Sequence, residues 1–355
     1  MQNRRHSPTF VREKLVSIVV PAVALLATVL SGCATPLALV QTVTSVIPST
    51  AGTPNSVATL GDFEFVSVQG TGQILTYNIS SGSQVLAVPP YATPCSEPSG
   101  MVLATIAGNN VLAVVCYDTG SLLTLTVQAD GSLTALGSVG ELAMPFPGIA
   151  LDGTDVFVPL FGQSQAANGA VAKVSIAAPA SPAVTGIATL ASPPSGGFAN
   201  PGYLAVAGGT IFVEAGSESA PENTSSTIQA VDESTMTLLG SPLVVAHSPQ
   251  QIALAGSVAY VTFFDATQLE SIDIANPAAL QPLQVLSLAA PGQSCHAVPV
   301  AVRGNFVYAG CYAEDAIDVF DIGNASNMQL AQTIASIVAP QRLVFAGSYL
   351  LVPAP

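Results

Sequence analysis

Along most of the chain, apolar residues alternate with polar or small ones in short runs rich in Val, Ile, Thr and aromatics. That period-two pattern is the signature of half-buried β-strands. The runs assemble into a repeated unit. A glycine is followed four positions later by a bulky apolar residue within such a run: GDFEFVSV from Gly61, GNNVLAVV from Gly108, GTDVFVPL from Gly153, GGTIFVEA from Gly208, GSVAYVTF from Gly256, GNFVYAGC from Gly304 and GSYLLVPA from Gly347. The bulky residues are Phe65, Leu112, Phe157, Phe212, Tyr260, Tyr308 and Leu351, and successive glycines lie 43 to 55 residues apart. An apolar run precedes each glycine, and Pro54, Pro201, Pro249 and Pro340 sit seven residues upstream of theirs. Each unit therefore opens as strand, glycine turn, strand.

A second strand pair follows each of the first six hairpins. Its first member ends near a polar residue (Asn78, Thr126, Ser175, Asp232, Asp273, Asp321), and a turn rich in Ser, Gly, Asn and Pro comes next. Residue types that hydrogen-bond their own backbone suit that turn. Four strands per unit of this length is the blade of a β-propeller. The seventh unit has only two strands before Pro355, and the segment 38–47 (ALVQTVTSVI) is an orphan strand ahead of the first unit. The pattern thus predicts an all-β, seven-bladed β-propeller of four-stranded antiparallel blades, the last closed by the N-terminal strand, which removes exposed sheet edges. The alternative is six blades with a loose tail.

The units resemble YVTN and LVIVD repeats. The best copy, residues 252–288, has the apolar-x-G-x-x-A-Y-V opening (IALAGSVAYV) and the SIDIANPAALQP continuation. Blades three and six match less well, and blades two and four weakly. The resemblance spans about residues 53–355. It implies a propeller at the cell surface or in the periplasm, and it implies no reaction, because propellers host unrelated functions.

The N-terminus reads as an address. Arg4, Arg5, Arg12 and Lys14 precede a sixteen-residue apolar stretch, 15–30, interrupted by Pro21. That is short for a membrane-spanning helix and has the shape of a secretory signal. Leu30-Ser31-Gly32-Cys33 follows, and it resembles the bacterial lipobox, in which the chain is cut before the cysteine and the cysteine is acylated. The expected organisation is a signal peptide at 1–32, a tether and closing strand at 33–52 and the propeller at 53–355, lipid-anchored through Cys33. Ala34 at the position after the anchor resembles the outer-membrane sorting default, which places the chain in the bacterial envelope, periplasmic or surface-exposed.

Composition sharpens this picture. Half of the 355 residues are apolar, 8% are charged and none is tryptophan; the formal net charge is −14. The apolar content suffices for a core and argues against disorder. Loss of 1–32 leaves the cations Lys173, Arg303 and Arg342 against all acids but Glu13, so the charge falls from −14 to −17. Such a surface repels nucleic acid. The absence of tryptophan argues against quinone-dependent and tryptophan-aspartate propellers.

Besides Cys33 there are four cysteines, which allow three pairings. Cys116 and Cys311 lie 8 and 7 residues after their hairpin glycines, and Cys95 and Cys295 lie 13 and 9 before them. Each couple joins the entry of an inner strand to the end of the second strand. The expected bonds are Cys95–Cys116 and Cys295–Cys311, in keeping with an oxidising compartment.

In a propeller, the loops entering the inner strands and those leaving the second strands share one face. Here they hold Tyr117, Asp118, His247, Phe264, Asp265, His296, Glu314, Asp315 and Arg342, the candidate ligand-binding residues. His247 and His296, with Asp265, Glu314 or Asp315, are weak metal candidates, since imidazole and carboxylate are ordinary ligands but no tight spacing unites them. Arg342 would clamp a carboxylate or form a surface ion pair. No G-x-S-x-G elbow, P-loop or dinucleotide fingerprint is present. The inner strands read as small and apolar, interrupted only by Thr59, Thr105, Asp152 and Arg303. The expectation is a non-catalytic envelope lipoprotein whose loop face binds a protein, peptide or glycan, with no cofactor and no catalytic set; the alternative is a lactonase-like hydrolase using the same face.

Overall fold

A computed structural model of the chain describes residues 41–46, 52–81, 84–162, 167–194, 196–216, 226–264, 266–288, 295–337, 339–347 and 349–354. Among them the secondary structure is β-strand, and no helix is long and apolar enough to cross a membrane. The signal segment, Cys33 and Asp265 lie outside the described residues.

Consecutive strands pair into sheets in chain order, from the inner strand at the axis to the outer strand at the rim. Six sheets of this kind follow one another, at 53–92, 98–139, 150–189, 200–245, 249–287 and 297–335, here blades 1 to 6. All pairings in them are antiparallel, and five have four strands. In blade 1 the outer position is divided between Val85–Leu86 and Tyr91–Ala92, both paired with Gln73–Asn78. A further sheet has three strands. The hairpin of Val344–Ala346 and Tyr349–Ala354 pairs with Gln41–Val46, which runs parallel to its neighbour from Gln41↔Tyr349 to Val46↔Ala354.

The fold is thus an all-β propeller, and the expectation of seven four-stranded antiparallel blades is corrected to six. After the terminal hairpin, no third antiparallel strand among the described residues continues the ladder. The place beside it is taken by the N-terminal strand in the parallel sense.

The repeat explains the core. The bulky residue after each hairpin glycine is at most 5% exposed: Phe65, Leu112, Phe157, Phe212, Tyr260, Tyr308 and Leu351 fill the apolar layers between neighbouring sheets. Full burial of such a side chain contributes about 1.5–3 kcal/mol. Second strands are buried along nearly their whole length, as in Phe306–Cys311. Outer strands such as Gln329–Ala335 are mostly exposed. The terminal sheet is packed on both sides, by Leu350 and Val352 against blade 6 and by Ala346 and Leu351 against blade 1. Among the described residues the apolar content therefore lies in sheet-to-sheet layers.

Bulges shape both edges of the blades. The inner-strand register slips at Pro54/Ser56, Pro98/Met101, Pro201/Leu204, Pro249/Gln251 and Ala297/Val300. Outer strands of blades 2 to 6 carry a bulge as well. A bulge bends and twists a strand, which turns the inner strands toward the axis and makes the rim a poor template for edge pairing.

The candidate ligand-binding face

Backbone hydrogen bonds tie the loop that enters a blade to the loop that leaves its second strand. Tyr117 N donates to Glu97 O (3.0 Å), Phe161 N to Met144 O (3.0 Å), Phe264 N to Ser248 O (3.0 Å) and Tyr312 N to His296 O (3.4 Å). Two disulfides clamp the same places in blades 2 and 6. Cys95–Cys116 and Cys295–Cys311 are both formed, each closing on the last residue of a second strand. The repeat-based pairing holds because the two ends of a hairpin meet at this face.

The carboxylates of the face serve the backbone. Asp118 Oδ2 accepts from Ser96 N (2.9 Å) and Ser96 Oγ (2.7 Å), next to Cys95. Partial burial raises the Asp118 pKa, but the hydroxyl and backbone donors outweigh it, and the net shift is downward. Asp315, at φ 50°, accepts from Ala339 N at 2.8 Å and fixes the approach to the terminal sheet. Glu314 is exposed.

The histidines are separated in role. His296 (φ 46°) places Nδ1 2.9 Å from Phe264 O and its ring 5.1 Å from the Phe264 ring, which is 47% exposed. His247 lies edge-on to Phe263 at 6.1 Å. Among the described residues no group of three or more His, Cys, Asp or Glu is placed to hold a metal ion.

A second aromatic group lies across blades 2 and 3. Tyr117 meets Phe146 edge-on at 6.5 Å, and Phe146 stacks on Phe161 at 5.5 Å. Phe161 was not among the residues singled out from the sequence, although it directly follows the second strand of blade 3.

Among the described residues Arg342 has no ion-pair partner. It reaches into the axis, where Nε donates to Asn55 O (3.4 Å) and Nη2 to Pro147 O (3.1 Å), and its guanidinium lies 4.6 Å from the centre of the Tyr203 ring. The ion pair recorded among the described residues is Lys173–Asp155, elsewhere in the fold. Arg342 borders an axial cavity of about 180 Å³ to which all six blades and the terminal sheet contribute. The expectation of small, apolar inner strands is corrected accordingly: Ser56, Tyr203, Gln251 and Arg342 line the cavity together with the inner segments of the blades, of which Gly148 and Tyr203 form a parallel bridge.

Sequence reasoning missed Tyr203, Gln251 and Glu214. Glu214 is 2% exposed on the second strand of blade 4, with Oε1 2.7 Å from where a Cβ on Gly202 would stand. Burial pushes its carboxyl well up, against the backbone N–H groups of Tyr203 and Gly202 that pull it down. The available signal was glycine inside strand patterns, which marks bulges and close approach. A Cβ on Gly148 would stand 2.3 Å from Gly202 O, so neighbouring inner segments touch backbone to backbone here.

Comparison with known proteins bears on this arrangement. The LVIVD repeat family matches residues 248–282 and 294–335. The β-propeller thus carries LVIVD repeats in these two segments. The matched segments fall in blades 5 and 6 and take in Phe264, His296 and the second disulfide; His247 directly precedes the first. The match is narrower than the 53–355 expected from the repeat pattern. A comparison with curated protein sequences gives no match.

Solved structures share the propeller's fold at low identity. Hydrazine synthase of Kuenenia stuttgartiensis superposes with a TM-score of 0.65 at 11% identity, over 84% of this chain and 90% of that one. The periplasmic gluconolactonase PpgL of Pseudomonas aeruginosa gives 0.63 at 18%, over 80% and 85%. BamB from Moraxella catarrhalis gives 0.51 at 11%, over 85% and 80%. At these identities the likeness is one of fold.

Proposed function

We propose that this LVIVD-repeat propeller is a non-catalytic protein of the bacterial envelope, anchored by lipid on Cys33, whose loop face binds a protein, peptide or glycan. The observation that carries this reading is the Phe264–His296 pair. An exposed ring backed by an imidazole stands on loops held by Cys295–Cys311 and by backbone bonds. Rigid, exposed aromatic surface is what a recognition site uses, because little conformational entropy is lost on binding. The acids that a hydrolase would aim at substrate are instead capping backbone, as Asp118 and Asp315 do. Two disulfides suit an oxidising compartment, and the likeness to a periplasmic gluconolactonase is in keeping with that address.

Peptide and glycan arrays probed with the purified protein, alongside Phe264→Ala, test the reading. Saturable binding that weakens by about tenfold or more in the variant is expected, the scale of a single interface anchor. Hydrolysis of aldonolactones that disappears in His296→Ala, with no array binding, overturns it in favour of a lactonase-like enzyme. Metabolic labelling with a fatty acid, lost in Cys33→Ala, tests the anchor.

A further inference from the structure

We infer that the axial cavity is a binding site for a small carboxylate, with Arg342 as its charged donor. Four observations converge on it. Arg342 is half-buried at the rim of the cavity, and none of the lining residues is an acid. Its two protein acceptors, Asn55 O and Pro147 O, are neutral carbonyls, so they orient the guanidinium without compensating its charge. They occupy Nε and one Nη2 hydrogen, which leaves the Nη1–Nη2 end with no acceptor among the described residues. The Tyr203 ring, 4.6 Å away, supports one face of the plane. A guanidinium held flat with one edge free matches the two oxygens of a carboxylate, and such bidentate, charge-assisted pairs are the strong ones.

Size narrows the class. About 180 Å³ is the liquid volume of roughly six waters at ~30 Å³ each, which suits an anion with a backbone of about two to four carbons rather than a sugar acid. The chain is strongly acidic overall, and one buried acid stands behind the cavity wall, Glu214 beneath Gly202. Burial favours its neutral form, so it does not cancel the charge of Arg342. The inference goes beyond the rim reading above. It needs no macromolecular partner, and binding through Phe264 and binding on the axis fail independently.

The test is calorimetric titration of the purified protein with acetate, malonate and succinate, with phosphate and chloride at matched ionic strength, each paired with a thermal melt. Saturable binding of one carboxylate per chain is expected, with a melting increase that the same concentration of chloride does not give. Affinity should fall by about tenfold or more in Arg342→Met, because a desolvated charge partner is lost. Arg342 also links the terminal sheet to blades 1, 3 and 4, so the variant is read by its anion-dependent increment rather than by its absolute stability. Arg342→Lys, which keeps the charge but loses the planar two-donor end, should lose most of the same increment. Equal increments in wild type and Arg342→Met, equal effects of all anions, or saturable binding of phosphate without any carboxylate overturn the inference and leave Arg342 as a latch across the ring.

Discussion

The two faces of the propeller are built by different rules. On the turn face the same chemistry recurs from blade to blade. Hairpin glycines such as Gly61, Gly153 and Gly256 sit at φ 56–57° with open space where a Cβ would be, so backbone conformation alone requires glycine there. At the end of the third strand, Asn78, Asp130, Asp232, Asp273 and Asp321 each accept the backbone N–H two residues on. Lys173 bridges Asp155 at 3.0 Å and Glu233 O at 3.2 Å between blades 3 and 4. On the loop face a backbone bond between entering and leaving loops recurs, but the side-chain chemistry does not. Disulfides occur in blades 2 and 6, a stacked aromatic group in blades 2 and 3, a ring–imidazole pair between blades 5 and 6, and an arginine in the terminal sheet. Repetition marks what the architecture needs in every blade. Its absence marks where individual residues are free to recognise something.

The contrast can be broken experimentally, and the loop-face disulfides should matter most. Replacing Cys295 and Cys311 together by serine opens a loop with sequence separation 16 and should cost about 3 kcal/mol in urea unfolding. A loss well under 1 kcal/mol would show that packing, not the bond, holds this face. Glu214 should come next. Its pKa is raised in the fold, so its contribution is fully present below the unfolded value near 4.5 and is lost as pH rises through the raised folded value. Across that window wild-type stability should decline by up to ~1.4 kcal/mol per pH unit. Glu214→Gln should flatten the decline, which melts at stepped pH will report; an unchanged slope would refute the assignment.

The repeat made one face far more legible than the other. Hairpin glycines and buried aromatics are set by local conformation and by layer packing, both of which leave a periodic trace. The disulfides could be placed because the two cysteines of each couple flank one of those glycines, at the entry of the inner strand and the end of the second. Where the trace is weaker the reading slipped. In blade 2 the third strand ends at Val127, beside the expected Thr126, but the turn is made by Asp130, whose carboxylate accepts from Ser132 N and Oγ. Arg342 lies in the loop where the repeat put it, but the inner strand after it is only three residues long, Val344–Ala346, and the arginine points to the axis, which no pattern shows. Closure was read as seven four-stranded antiparallel blades, the last completed by the N-terminal strand; that strand does pair with the last hairpin, but in the parallel sense, a direction no local pattern records. The axial cavity was invisible for a related reason: it is lined largely by strand edges and by glycine-permitted backbone approach, not by a motif.

Two smaller effects separate the faces by kind rather than by size. On the turn face, Gly256→Ala forces a Cβ into left-handed backbone at φ 57° and should cost about 1–2 kcal/mol. Binding at the opposite face should be unchanged, and a coupled loss of array binding would show that the faces are not independent.

The smallest stability effect should belong to Phe264→Ala, and it is the most informative. The ring is 47% exposed and touches little besides His296, so truncation should shift stability by no more than about 0.5 kcal/mol, as for an ordinary surface position. If the loop face is a recognition surface, the same change should still remove most of the partner affinity, because an exposed ring on a rigid loop contributes to the complex rather than to the fold. A variant that melts well below wild type would instead mean that the Phe264–His296 pair is a structural brace between blades 5 and 6. The loop face would then resemble the turn face, with side chains engaged in holding the ring together, and the recognition site would have to be sought at Tyr117, Phe146 and Phe161 on the other side of the axis.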